Sequence, residues 1–133
     1  MNEKFIQQLR SDFPKFKFIK GNKFAFRPPK TVVLGPSEPF WELLALHEVS
    51  HAILKHKTFR MDVERLRMEN EAWEKARELA SRYAIEVNED IIQDELDTYR
   101  DWLHNKSKCR SCGLTRYQTP DGAYHCPRCE NFA

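Results

Sequence analysis

Apolar residues in the first 35 positions come in short bursts. Phe5, Ile6, Leu9 and Phe13 recur at helical spacing and predict a short amphipathic helix over residues 3–13, ended by Pro14. Phe16-Lys17-Phe18-Ile19 and Phe24-Ala25-Phe26 then alternate around Gly21-Asn22. That dipeptide suits a tight turn, so the pattern predicts an antiparallel hairpin. Pro28-Pro29 breaks its second strand, and Thr31-Val32-Val33-Leu34 predicts a third, closed by Gly35-Pro36.

Beyond residue 36 the period lengthens. Ser37 is the expected N-cap, with Pro39 in the first turn, of a helix running to about His56. A second long helix is expected over Asp62 to Val87. A third, capped by Asn88, is expected to end near Asn105 with Ile92, Leu96, Tyr99 and Leu103 as its stripe. The predicted fold class is α+β: a small antiparallel sheet packed on the first long helix and two further helices. This gives one domain over residues 1–105 and a small cysteine-bearing unit over 106–133.

At 133 residues, 41% hydrophobic and 32% charged, the chain is globular in composition and long enough for one modest core. Met1 to Arg10 lacks the apolar run of a signal peptide, and no stretch nears the ~20 apolar residues that span a bilayer. A cytoplasmic protein without membrane attachment is therefore expected. The net charge of +2 conceals segregation. Residues 1–36 carry eight Lys/Arg against two acids, residues 37–105 nine against sixteen, and residues 106–133 five against two. Basic ends around an acidic middle suit a nucleic-acid or acidic-protein partner, or simply faces of differing sign. No G-x-x-x-x-G-K loop occurs, so nucleotide hydrolysis has no support.

The first long helix contains His47-Glu48-Val49-Ser50-His51, an H-E-x-x-H pattern. Four residues make about one helical turn, so both imidazoles face one way and can grip a single Zn²⁺, while Glu48 can reach a metal-bound water as general base. Phe40, Leu43, Leu44 and Leu54 share the imidazoles' stripe, and Ala45, Val49, Ala52 and Ile53 cover much of the remaining surface. Burying two imidazoles and a carboxylate among them costs several kcal/mol, of order, unless a cation satisfies them. His56, five residues after His51, would project ~140° away on a continuing helix, at the surface or one step behind the metal.

A zinc hydrolase needs a third protein ligand. On the next helix Leu66, Ala72, Trp73, Ala76, Leu79 and Ala80 form an apolar stripe with Glu69 near its centre. Glu71 falls on the opposite face with Glu64, Arg67, Glu74, Glu78 and Arg82. A carboxylate inside a core-facing stripe needs a partner, so Glu69 is the expected ligand and Glu71 needs none.

These segments resemble the ImmA/IrrE family of zinc metallopeptidases, which couple an H-E-x-x-H helix to a following E-x-E-A-x-x-x-A helix. The matching stretches are His47-Glu48-Val49-Ser50-His51-Ala52-Ile53-Leu54 and Glu69-Asn70-Glu71-Ala72-Trp73-Glu74-Lys75-Ala76. The resemblance covers roughly residues 30–90. It implies a zincin-like fold, a catalytic zinc held by His47, His51 and Glu69, and Glu48 as the catalytic base. It also implies a protein or peptide substrate such as a transcriptional repressor. Trp73 stands where the family often has a small polar or acidic residue. An additional oxyanion donor is expected, with Tyr83, Tyr99 and His104 as candidates.

All four cysteines lie in the tail, as Cys109-x-x-Cys112-Gly113 and Cys126-Pro127-Arg128-Cys129. Two C-x-x-C pairs separated by thirteen intervening residues resemble a zinc ribbon, with four thiolates closing a structural site and His125 not needed as ligand. Two Zn²⁺ are thus expected, one catalytic and one structural. Lys106, Lys108, Arg110, Arg116 and Arg128 make the ribbon basic, and Tyr117 and Tyr124 add stacking surfaces, which suits nucleic acid, a protein partner or a purely structural role. A ribbon after H-E-x-x-H also resembles SprT-like, DNA-associated proteases. Those use a third histidine downstream, and none is suitably placed between His56 and His104. The remaining alternative is a non-catalytic zincin-fold binding module.

Overall fold

The computed structural model describes residues 3–130. Its elements are α1 (Glu3–Asp12), β1 (Lys17–Lys20), β2 (Ala25–Arg27), β3 (Thr31–Leu34), α2 (Trp41–Ile53), α3 (Asp62–Arg82), α4 (Glu89–Ser107), β4 (Tyr117–Gln118) and β5 (Tyr124–His125). The class is α+β, as the periodicity predicts. None of the described helices is long and apolar enough to cross a membrane.

Two compact units are formed. One comprises the residues up to Lys57 together with Glu71–Asn88, the other Thr58–Asn70 together with the residues from Glu89 onward. The C-terminal part of α3 belongs to the first unit and its N-terminal part to the second.

In the first unit the three strands sit where expected but pair differently. The sheet order is β1-β3-β2. β1 runs parallel to β3, with Phe18 opposite Val32, and β2 runs antiparallel to β3, with Phe26 opposite Val32. The predicted hairpin between β1 and β2 does not form, and the sheet is mixed rather than antiparallel. Strand burial explains the order. β3 carries three consecutive buried apolar residues, Val32, Val33 and Leu34, and such a run belongs in the middle of a sheet. The more polar β1 and β2 take the edges, where one flank meets solvent.

α2 packs against β2 and β3, and α1 packs against β1. The core gathers Ile6 and Leu9 of α1, the β3 residues, most of α2, and Ala72, Trp73, Ala76, Leu79 and Ala80 of α3. An aromatic cluster ties α1 to the start of α2, with Phe5 edge-on to both Trp41 and Tyr83. Ser37 does not cap α2. The N-cap is Phe40 in a left-handed conformation (φ 64°), and Trp41 starts the helix with its indole Nε1 donating to Gly35 O at 2.9 Å. Burial of the indole fixes this start more firmly than a serine hydroxyl would.

In the second unit, α3 opens with Glu64 Oε1 accepting from Met61 N at 3.2 Å, the returning half of a capping box. Asp62 is buried. Burial opposes its ionisation, but hydrogen bonds from Tyr124 Oη (2.6 Å) and Lys106 Nζ (3.0 Å) outweigh that and hold its carboxyl below the usual range. Asp62 N also donates to Gln118 Oε1 at 2.6 Å, so one residue anchors the β4–β5 hairpin to the helix start. The Arg65 guanidinium lies over the rings of Trp102 (4.8 Å), Tyr99 (5.0 Å) and Phe59 (5.9 Å).

Candidate metal centres

α2 is apolar on nearly every side, and its length is set by what it buries: Trp41, Leu43, Ala45, Leu46, Val49 and Ala52 with both histidines. His47 and His51 are each only 7% exposed. One turn apart, their Nε2 atoms converge to 3.2 Å. Two nitrogens bound at ~2.0–2.1 Å to one tetrahedral ion lie ~3.3–3.4 Å apart, so the spacing fits a shared Zn²⁺. Glu48, half-buried, completes a group in which one ligand atom from each residue lies within 4.8 Å of the others. Aromatic faces hold both rings. Trp73 stacks on His47 at 4.0 Å between centroids, and Phe26 of β2 lies parallel to His51 at 6.4 Å.

The helix does not continue to His56. It ends at Ile53, Leu54 is the C-cap, and Lys55 turns left-handed (φ 58°). Lys55 N then bonds Ala52 O at 3.2 Å and His56 N bonds His51 O at 3.1 Å, the paired bonds of a Schellman motif. The motif folds His56 back beside His51, leaving their Nδ1 atoms 2.9 Å apart. On its far side His56 Nε2 lies 3.1 Å from Glu71 Oε1. Of the two expected places for His56, the one behind the metal side of His51 is the one found, although the helix assumed to carry it there ends at Ile53. Glu71, expected to need no partner, has one. The Lys55-His56-Lys57 cluster, cations suited to a helix C-terminus, was the sequence signal for an earlier stop.

Glu69, the expected third ligand, lies on the stripe predicted for it and is 9% exposed; it belongs to the second unit, in the N-terminal part of α3. Of the oxyanion candidates, Tyr83 is already engaged, its hydroxyl donating to Asp12 Oδ2. Tyr99 and His104 lie in the second unit on α4.

The cysteine tetrad has the geometry of a closed site. Cys109 and Cys129 Sγ are 3.9 Å apart, Cys112 and Cys126 Sγ 3.5 Å, and all four lie within 4.8 Å of one another. Thiolates at ~2.3 Å from a tetrahedral zinc lie ~3.8 Å apart. The first knuckle turns at Gly113 (φ 80°), whose N–H returns to Cys109 O, and Cys129 N donates to Cys126 Sγ at 3.4 Å in the second. Backbone N–H groups of Cys112 and Ser111 pull the Cys109 thiol down to about 6, whereas the neighbouring sulfurs, Cys126 first, push Cys129 up to about 12. Four sulfurs this close need a cation before all can ionise.

Part of the ribbon's basic and aromatic surface is used internally. Lys106 and Tyr124 bind Asp62, and Arg116 donates to Lys106 O at 2.8 Å and lies over the Tyr124 ring. Lys108, Arg110, Arg128 and Tyr117 remain exposed.

Comparison with protein-family models, with curated proteins and with solved structures returned no match.

Proposed function

We propose that the chain is a zinc-dependent metallopeptidase that hydrolyses peptide bonds of a protein substrate. In this reading His47, His51 and Glu69 hold the catalytic ion, and Cys109, Cys112, Cys126 and Cys129 hold a structural one. The observation that carries it is the pair of buried Nε2 atoms 3.2 Å apart with Glu48 beside them. The likeness of both helix motifs to the ImmA/IrrE family supports the same ligand set and points to a repressor-like protein as substrate.

When bound, the zinc supplies a Lewis acid and brings the pKa of its water toward ~7. Glu48 is the group to accept the proton of the attacking water and deliver it to the leaving amine nitrogen. His47 and His51 are held by a helix too buried to shift, with Trp73 and Phe26 against their rings, so the ligand geometry is fixed before any ion arrives. Paired thiols suit a reducing, cytoplasmic setting. We assign the ribbon a mainly structural role, since Lys106, Arg116 and Tyr124 are spent on internal contacts.

Metal analysis tests the reading. Two zinc ions per chain are expected, one lost in His47→Ala/His51→Ala and the other in Cys109→Ser. Glu48→Gln should keep both ions and lose peptide hydrolysis. A single ion, lost with Cys109→Ser and indifferent to the histidines, would leave a ribbon-bearing binding module and no peptidase.

A further inference from the structure

We propose that His56 is a positioning residue that, held between Glu71 and His51, locks His51 in the tautomer whose Nε2 lone pair faces His47 and the metal. The inference rests on the metal reading above and deepens it. Three contacts run in series: Glu71 Oε1 to His56 Nε2 at 3.1 Å, His56 Nδ1 to His51 Nδ1 at 2.9 Å, and His51 Nε2 to His47 Nε2 at 3.2 Å.

Hydrogen-bond polarity gives the series a direction. A carboxylate oxygen only accepts, so His56 Nε2 must carry the proton it donates to Glu71. In neutral His56 the other nitrogen, Nδ1, is then bare and accepts. With both rings neutral, the 2.9 Å contact places the proton on His51 Nδ1, which leaves His51 Nε2 unprotonated. That nitrogen points at His47 Nε2, where the ion would sit. Thus a carboxylate on the exposed face of α3 sets the tautomer of a buried imidazole two hydrogen bonds away.

The backbone makes the series rigid. His56 is delivered by the Schellman bond from its own N–H to His51 O at 3.1 Å, so main chain and side chain meet the same histidine. The His56 side chain is 10% exposed, whereas Glu71 is 51% exposed and can be replaced with little effect on folding.

The test has two arms. In metal-free protein, long-range ¹H–¹⁵N spectra should show His51 protonated on Nδ1. Zinc competition against a chromophoric chelator should show the histidine site weakened about 10- to 100-fold in Glu71→Ala and His56→Phe, as removing such partners of a metal-bound histidine typically does. His56→Gln should restore most of the affinity, because its amide oxygen can accept from His51 while its amide N–H donates to Glu71. A purely structural role would favour Phe, which fills the space without polarity. Nε2-protonated His51 in the metal-free protein, or a His56→Phe site as tight as the parent, would overturn the inference. If the parent holds zinc only at the cysteines, the metallopeptidase reading fails instead, and the tautomer spectra still decide this one.

Discussion

Trp73 lies face to face with His47, ring centroids 4.0 Å apart and planes 21° from parallel, although the two side chains come from different helices. The indole is 1% exposed, and its Nε1 has no hydrogen-bond partner among the described residues. A buried donor left unsatisfied costs about 1–3 kcal/mol, so Trp73 is retained against a penalty for the flat wall it offers the imidazole. Trp73→Phe should keep that wall and shed the stranded donor, giving stability within about 1.5 kcal/mol of the parent. Trp73→Ala should cost about 3–5 kcal/mol. Urea unfolding separates them, and a Phe variant as weak as the Ala variant would mean the indole N–H has a partner after all.

Gly21 owes its identity to Val33. A Cβ at Gly21 would stand 2.6 Å from Val33 Cγ1, and its φ is not among the positive ones that a turn would have demanded. The β1–β3 pairing even extends to it, since Gly21 N donates to Leu34 O at 2.9 Å. Gly21→Ala should therefore destabilise by about 1–3 kcal/mol through overpacking. Combined with Val33→Ala, which opens the space, the loss should fall short of the sum of the single changes by about 1 kcal/mol or more. Strict additivity in denaturant titrations would place the strain elsewhere.

The same glycine marks where sequence reading stops. Periodicity located all four helices, the three strands of the main sheet and the buried face of α3 with Glu69 on it, because burial leaves its period in the composition. Pairing is different: Gly21-Asn22 looks the same whether it closes a hairpin or makes room for a strand arriving from ten residues later. Helix ends failed for a related reason. α2 and α3 stop on left-handed residues that are not glycine, Lys55 and Ala84, so the usual stop signal is missing. The His56–Glu71 contact was hidden with them, since it exists only because α2 stops at Ile53.

Ala84 makes that missing signal measurable. It sits at φ 55°, with Ile85 N reaching Ala80 O at 2.8 Å, and it is exposed. A left-handed L-residue carries about 1–2 kcal/mol of steric cost, whereas glycine adds some entropy to the unfolded chain, about 0.4–1 kcal/mol. Ala84→Gly should thus stabilise by about 0.5–1 kcal/mol, visible as a rise in Tm, and Ala84→Val should lower it. A fall in Tm with glycine would show that the αL turn is not the strained element.

Tyr83 and Asp12 join α3 to α1 through a hydrogen bond from the phenol to the carboxylate. Burial first, then that bond and the Asp12 charge, push the Tyr83 pKa well above its usual 10.0, with Arg82 opposing weakly. A group with a raised folded pKa favours the fold fully below its unfolded value. Its contribution is lost as the pH climbs from about 10 through the higher folded value. Ultraviolet titration of the folded protein should accordingly show Tyr83 ionising late, and in denaturant it should join the other tyrosines near pH 10. Tyr83→Phe should shrink the late component by one tyrosine, leaving Tyr124, which burial and its bond to Asp62 push up to about 12, and cost about 1 kcal/mol at neutral pH. That difference should shrink as the solution turns alkaline, because the parent loses what the variant never had. An unchanged late component in Tyr83→Phe would assign it to another tyrosine and leave the Asp12 bond without a role in the pH response.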